Sequence, residues 1–214
     1  MLLSGDLVLH SNNPLKPTAL CELAKEGHAR AAAIAFALIG AVIFTLFAGS
    51  YLISRLFGFP FSLHPPVVMK LIGAAIALTG ISIMAWVFKT RRPTNVIVST
   101  YYTFAKIFRR IPLAEAGGRT EPLIISGPQK YTRNPLYFGV VVMTFGLAVF
   151  GGFVFVFIAT MIILLWFSLV LIPFEERELR VLFGEQWKRY AEETPMLIPF
   201  TKRRKHRGLP PVLP

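Results

Sequence analysis

Two short stretches of this chain hold residue types that can do chemistry together. The first is Tyr131-Thr132-Arg133-Asn134-Pro135-Leu136-Tyr137, and the second opens with Glu175-Glu176 and runs on to Trp187 and Tyr190. A guanidinium is a fork of donors matched to a carboxylate or phosphate. Carboxylates hold ammonium or diol groups and accept protons, and aromatic rings pack against flat or cationic groups. Each feature also has a plain structural explanation. Asn134 is a preferred helix N-cap and Pro135 a preferred first helical residue. Arg133 then serves as a surface anchor, and Glu175 and Glu176 suit the positive end of a new helix after Pro173. What favours a site is convergence, because the two stretches bracket a single uncharged run, and carboxylates at an apolar boundary are costly unless something there uses them. Arg133 and Glu175 are the candidate catalytic residues.

The elements that must position them are membrane helices. From Asn134 to Phe174 no residue carries a charge, roughly twice the length that one crossing of a hydrocarbon core about 30 Å thick requires. Gly151-Gly152 near its middle permits a tight turn. The spacing predicts a helical hairpin, Pro135 to Phe150 and Phe153 to Ile172, whose two ends return to one membrane surface. Earlier in the chain, Ala31 to Ser54 is uncharged and long enough to span. A second span runs from Val67 to Phe88, with Gly73, Ala77 and Gly80 placed where a neighbouring helix can approach closely. The fold class expected is all-α: a polytopic membrane protein of about four transmembrane helices, with a C-terminal hairpin followed by a cytoplasmic amphipathic helix.

In that last helix, Glu175 to Tyr190, a helical wheel puts Glu175, Leu179, Leu182, Phe183, Gln186 and Tyr190 on one face and Trp187 at its edge, with Arg177, Gly184 and Lys188 opposite. Glu176 and Arg180 form an acid-first pair four residues apart, and Glu178 has room to face water. Between the second span and the hairpin lies a long polar connection from Lys89 to Arg133. Its weakly apolar piece, Val96 to Phe108, is expected at the interface, with Tyr101, Tyr102 and Phe104 at headgroup level.

Composition agrees. The 214 residues are 54% hydrophobic, with a mean hydropathy of +0.58, the profile of an integral membrane protein. Lys and Arg total 23 against 11 Asp and Glu, and the excess flanks the apolar blocks as the positive-inside tendency requires. The basic residues therefore point to anionic lipid rather than nucleic acid, above all at Lys202-Arg203-Arg204-Lys205-His206-Arg207 in the tail. The same count places both termini on the cytoplasmic side. Residues 1–30 lack the pattern of a cleaved secretory signal and read as a cytoplasmic lead-in with a surface helix near Thr18 to Glu26. Residues 31–119 hold two transmembrane helices and the cytoplasmic connection, residues 120–200 the core with the candidate site, and residues 201–214 the basic tail. Cys21 is the one cysteine, and His10, His28, His64 and His206 are scattered without ligand spacing, so no metal is expected.

The spaced pattern Ser126-Gly127-Pro128, Tyr131, Arg133-Asn134-Pro135-x-Tyr137-x-Gly139, then a hairpin, Glu175-Glu176-x-x-Leu179, Phe183-Gly184-x-x-Trp187-x-x-Tyr190 and Pro195 to Pro199 resembles the isoprenylcysteine carboxyl methyltransferase and phospholipid methyltransferase superfamily over roughly residues 120–200. The resemblance implies a membrane-embedded methyltransferase using S-adenosylmethionine near the cytoplasmic surface, with a lipophilic substrate arriving from the bilayer. By matching position it implies that Tyr131, Arg133, Asn134, Pro135, Tyr137, Glu175 and Glu176 line the cofactor pocket. Members that methylate prenylcysteine often carry His where this chain has Asn134, so the acceptor implied is broader: an isoprenylcysteine-like carboxylate, a phospholipid amine or a related lipid.

The residue chemistry suits such a cofactor. Arg133 matches its carboxylate, a Glu its ammonium or ribose diol, and Tyr131, Tyr137 or Trp187 its adenine. No G-x-G-x-x-G fingerprint of a soluble dinucleotide-binding fold occurs. Two other classes compete. Membrane sterol reductases look similar in their C-terminal part, and there Arg177, Arg180, Lys188 and Arg189 would meet the phosphates of NADPH. A non-enzymatic membrane scaffold would use Arg133 and the Glu pair only as anchors and would bind no such cofactor.

Overall fold

The structure is a computed structural model that describes residues 28–96, 100, 103, 106–107 and 123–201. The lead-in with its expected surface helix, Cys21, the aromatic residues Tyr101, Tyr102 and Phe104, and the basic tail lie outside the described residues. The described chain is all-helical. Helix α1 spans His28–Phe57 and α2 Val67–Thr90; after a 3-10 turn at Gly127–Lys130, α3 spans Pro135–Gly151 and α4 Val154–Trp166. A five-residue π turn, Phe167–Leu171, leads directly into α5, Ile172–Glu193. Three stretches are long and apolar enough to cross a membrane, Ala33–Phe57, Val67–Thr90 and the continuous rod Val154–Glu193. Helix α3 is apolar but has only 17 residues, about 26 Å of rise.

The tightest packing is between α2 and α3, and small residues make it possible. A Cβ built on Gly73 would collide with the Phe150 backbone, one on Gly80 with Met143 and one on Gly146 with Ala77. Residues 73, 77 and 80 thus meet 150, 146 and 143, which makes the pair antiparallel. The stripe expected at Gly73, Ala77 and Gly80 is therefore the α2–α3 seam, answered by Gly139 and Gly146 on the other side. Gly146→Ala should force these backbones apart and cost about 1–3 kcal/mol, as overpacking does. A melting temperature in detergent equal to that of the parent would contradict this close contact.

The hairpin turn is where the sequence places it. Gly152 caps α3 with φ 64, the left-handed region in which glycine carries no side-chain penalty. The connection between α1 and α2 clasps this turn: Leu63 N donates to Gly152 O at 3.1 Å, Ser62 Oγ donates to Gly151 O, and the Phe61 and Phe153 rings lie 4.7 Å apart.

Two features of the last rod depart from expectation. The helix does not stop at Pro173. Proline cannot donate to the carbonyl one turn back and crowds it, and the widened π turn just before it absorbs the misfit, so the hairpin arm and the helix after it are one element. The second departure is at Gly184, which has φ 48 and ψ −122 inside α5 and breaks the regular 100° per residue. A wheel drawn through this break misplaces the residues around it. Beyond the break Gln186, expected inside, is exposed, whereas Trp187 is 2% exposed.

Candidate active site

The two chemical stretches meet at the polar end of the bundle. The 3-10 turn ends at Lys130, and the residues after it are tied to the chain beyond α5. Arg133 N donates to Pro195 O at 2.9 Å, Thr132 Oγ1 to Leu197 O at 2.8 Å and Asn134 Nδ2 to Met196 O at 2.9 Å. Residues 194–200 thus form a strap zipped onto Thr132–Asn134. Asn134 occupies the N-cap position of α3, yet its side chain makes no capping bond. The strap claims its amide instead. Tyr190 OH donates to Gln129 O at 2.7 Å, joining the end of α5 to the 3-10 turn.

The strap and α5 hold Arg133 in place. Its side chain is 9% exposed, and Nη2 lies 3.2 Å from Glu176 Oε1. The guanidinium carbon sits 5.7 Å from the centre of the Trp187 ring, a cation–π distance. Burial lowers the Arg133 pKa from its usual range, and the Glu176 carboxylate opposes that shift, so the cation is desolvated but paired. Glu176 therefore pairs with Arg133 across the fold, the meeting expected from the hairpin's two ends.

Glu175 is 9% exposed. Its Oε1 accepts from Tyr137 OH at 2.8 Å and from Thr103 Oγ1 at 3.1 Å. The Tyr137 ring in turn lies 4.8 Å from that of Phe167, the first residue of the π turn. Glu178 does not face water. It is 4% exposed, and its Oε1 is 2.5 Å from Lys106 Nζ. The polar connection, whose residues 93–96, 100, 103 and 106–107 are helical, therefore packs onto α5. Sequence reasoning missed Thr103, Lys106 and Gln129 altogether. The one available signal was the matched i, i+3 spacing of Thr103 with Lys106 and of Glu175 with Glu178.

These elements enclose a cleft that opens to the surface. Arg133, Asn134, Pro135, Tyr137 and Glu175 line it, with Arg91, Gln129, Trp187 and Tyr190. Glu176 is not in the lining; it pairs with Arg133, which is. Tyr131 is outside as well: it is 39% exposed and packs against Trp86 and Phe200 at 5.9 and 5.7 Å between ring centres.

Three buried polar atoms of cleft-lining residues, Gln129 Oε1, Arg133 Nε and Trp187 Nε1, have no hydrogen-bond partner among the described residues. An unsatisfied buried group costs about 1–3 kcal/mol, so one acceptor and two donors held in this way suit a polar occupant that carries both functions.

The chain matches the family model for phospholipid methyltransferase over residues 68–186. Comparison with curated proteins and with solved structures found no match in either. The matched stretch runs from the start of α2 through the polar connection, the Arg133 corner and the hairpin into α5. It takes in every cleft-lining residue except Trp187 and Tyr190. With apolar helices long enough to cross a membrane and a family match over more than half its length, the chain is a membrane methyltransferase that belongs to the phospholipid methyltransferase family.

Proposed function

We propose that the protein transfers a methyl group from S-adenosylmethionine to a lipophilic acceptor at the cytoplasmic membrane surface. The observation that carries this reading is the buried Arg133 cation, paired with Glu176 and stacked on Trp187, in a cleft that Glu175 and Tyr137 share at the polar end of the apolar helices. When bound, S-adenosylmethionine supplies an electrophilic methyl group. Arg133 would hold its carboxylate, Glu175 its ammonium or ribose diol, and Trp187, Tyr137 and Gln129 its adenosyl part. Val87, Leu136, Leu179 and Phe183 form an apolar lining that keeps water from the reacting centre.

A carboxylate acceptor has no proton to lose. An amine acceptor does, and Glu175 is the carboxylate of the cleft that can take it. The acceptor enters from the bilayer, and the excess of basic residues on this side supports reading it as the cytoplasmic one. A nicotinamide dinucleotide is less well served, because Arg177, Arg180, Lys188 and Arg189 are exposed and none of them lines the cleft.

The test is to incubate the purified protein with methyl-labelled S-adenosylmethionine and total membrane lipid. Label should enter the organic extract in proportion to protein and disappear with Arg133→Ala. Label confined to the aqueous phase with every lipid class, from protein shown to be folded, would sink the lipophilic acceptor.

A further inference from the structure

The polar connection touches α5 at two points that are related. Thr103 Oγ1 donates to Glu175 Oε1 at 3.1 Å, and Lys106 Nζ donates to Glu178 Oε1 at 2.5 Å. In both pairs the partners stand 72 residues apart in the chain. One turn along the connection therefore matches one turn along α5, and the two helical segments run side by side in the same direction. Residues three apart on a helix share a face, so the contacts are successive rungs of one polar seam.

The rungs do different things. Neither Lys106 nor Glu178 lines the cleft, and their pair is buried. Glu175 does line the cleft, and its Oε1 receives a second hydroxyl, Tyr137 OH from α3, at 2.8 Å. Val96 and Thr100 of the same connection also line the cleft, so this segment is one of its walls. A carboxylate at the end of a flexible stem can rotate and swing. Donors from two separate elements, meeting on a single oxygen, remove that freedom and set where the group stands relative to the cleft. Threonine suits the task, because branching at Cβ restricts its χ1 and aims the hydroxyl.

We infer that Thr103 is a positioning residue for Glu175, fixing its carboxylate jointly with Tyr137, and that the Lys106–Glu178 pair sets the register that presents Thr103 to it. The inference rests on the reading of Glu175 as a cofactor-binding group. Methyl-group acceptors do not enter it. It makes Val96, Thr100 and Thr103 of the connection part of the active site.

The experiment is calorimetric binding of S-adenosylhomocysteine to the detergent-purified full chain and to Thr103→Val and Thr103→Ser, each with a melting temperature. Thr103→Val keeps the shape and removes the hydroxyl, so affinity should fall roughly tenfold, the scale of one hydrogen bond to a charged group, while the melting temperature stays near that of the parent. Thr103→Ser should bind close to the parent. Should Thr103→Val not fold, Thr103→Ala carries the same expectation. A hydroxyl-free variant that melts lower yet binds with parental affinity would reduce Thr103 to a structural contact and overturn the inference. A parent chain that itself fails to bind S-adenosylhomocysteine overturns the cofactor reading beneath it, a result distinguishable from failure at Thr103 alone.

Discussion

Lys106→Met is expected to destabilise the protein by about 3–5 kcal/mol, the cost of stripping one partner from a buried ion pair. Lys106 is 2% exposed, and the Glu178 side chain beside it is 6% exposed. Methionine reproduces the length and much of the bulk of the lysine stem, so packing is nearly conserved. What remains is a carboxylate enclosed by protein with its countercharge removed. The companion variant is Lys106→Met/Glu178→Leu, which replaces the whole rung by apolar contact. Such replacements of buried pairs are often neutral or better, so most of the loss should return. Thermal unfolding in detergent, measured for both single variants and the double, reads out the cycle. Strict additivity of the two losses would mean that the charges do not depend on one another.

The second large effect is on binding. Arg133→Ala should weaken S-adenosylhomocysteine by about 100-fold or more, because truncating one partner of a desolvated charge contact costs about 2–5 kcal/mol. Arg133→Lys should recover little, since an ammonium lacks both the planar fork and the face that stacks on Trp187. Removing Arg133 also leaves Glu176 without the cation 3.2 Å away, so some loss of stability will accompany the loss of affinity. Arg133→Ala/Glu176→Ala separates the two effects, with stability partly restored and binding still absent. Binding that returns together with stability would show that Arg133 acts only by holding the fold.

Where the physics was local or one-dimensional, the sequence announced it. The uncharged run between Asn134 and Phe174 folds into two apolar helices, and adjacent glycines marked its turn. Gly73, Ala77 and Gly80 marked a seam because only small residues let two backbones approach. The meeting of Arg133 with Glu176 came from the hairpin, which brings its own two ends together. What stayed hidden depended on elements distant in the chain. Lys106 lies in a segment expected at the interface, and nothing nearby indicates a carboxylate 72 positions on. Glu178 was assigned to water by the same locality, since its partner lies on another element. The wheel for α5 failed around Gly184 because one non-helical residue resets the phase. The break expected at Pro173 was absent because a π turn can carry a helix through a proline. Asn134 was read as a cap because caps are a local habit, whereas its amide is taken by Met196 on the strap.

The most direct test of the central claim is calorimetric titration of the detergent-purified protein with S-adenosylhomocysteine and, separately, with NADPH, repeated on folded Arg133→Ala. Binding of the adenosyl ligand by the parent, lost in the variant and not matched by NADPH, is the result predicted for a methyl-donor site built around Arg133. Binding of NADPH alone, or an adenosyl affinity unchanged in Arg133→Ala, would contradict it.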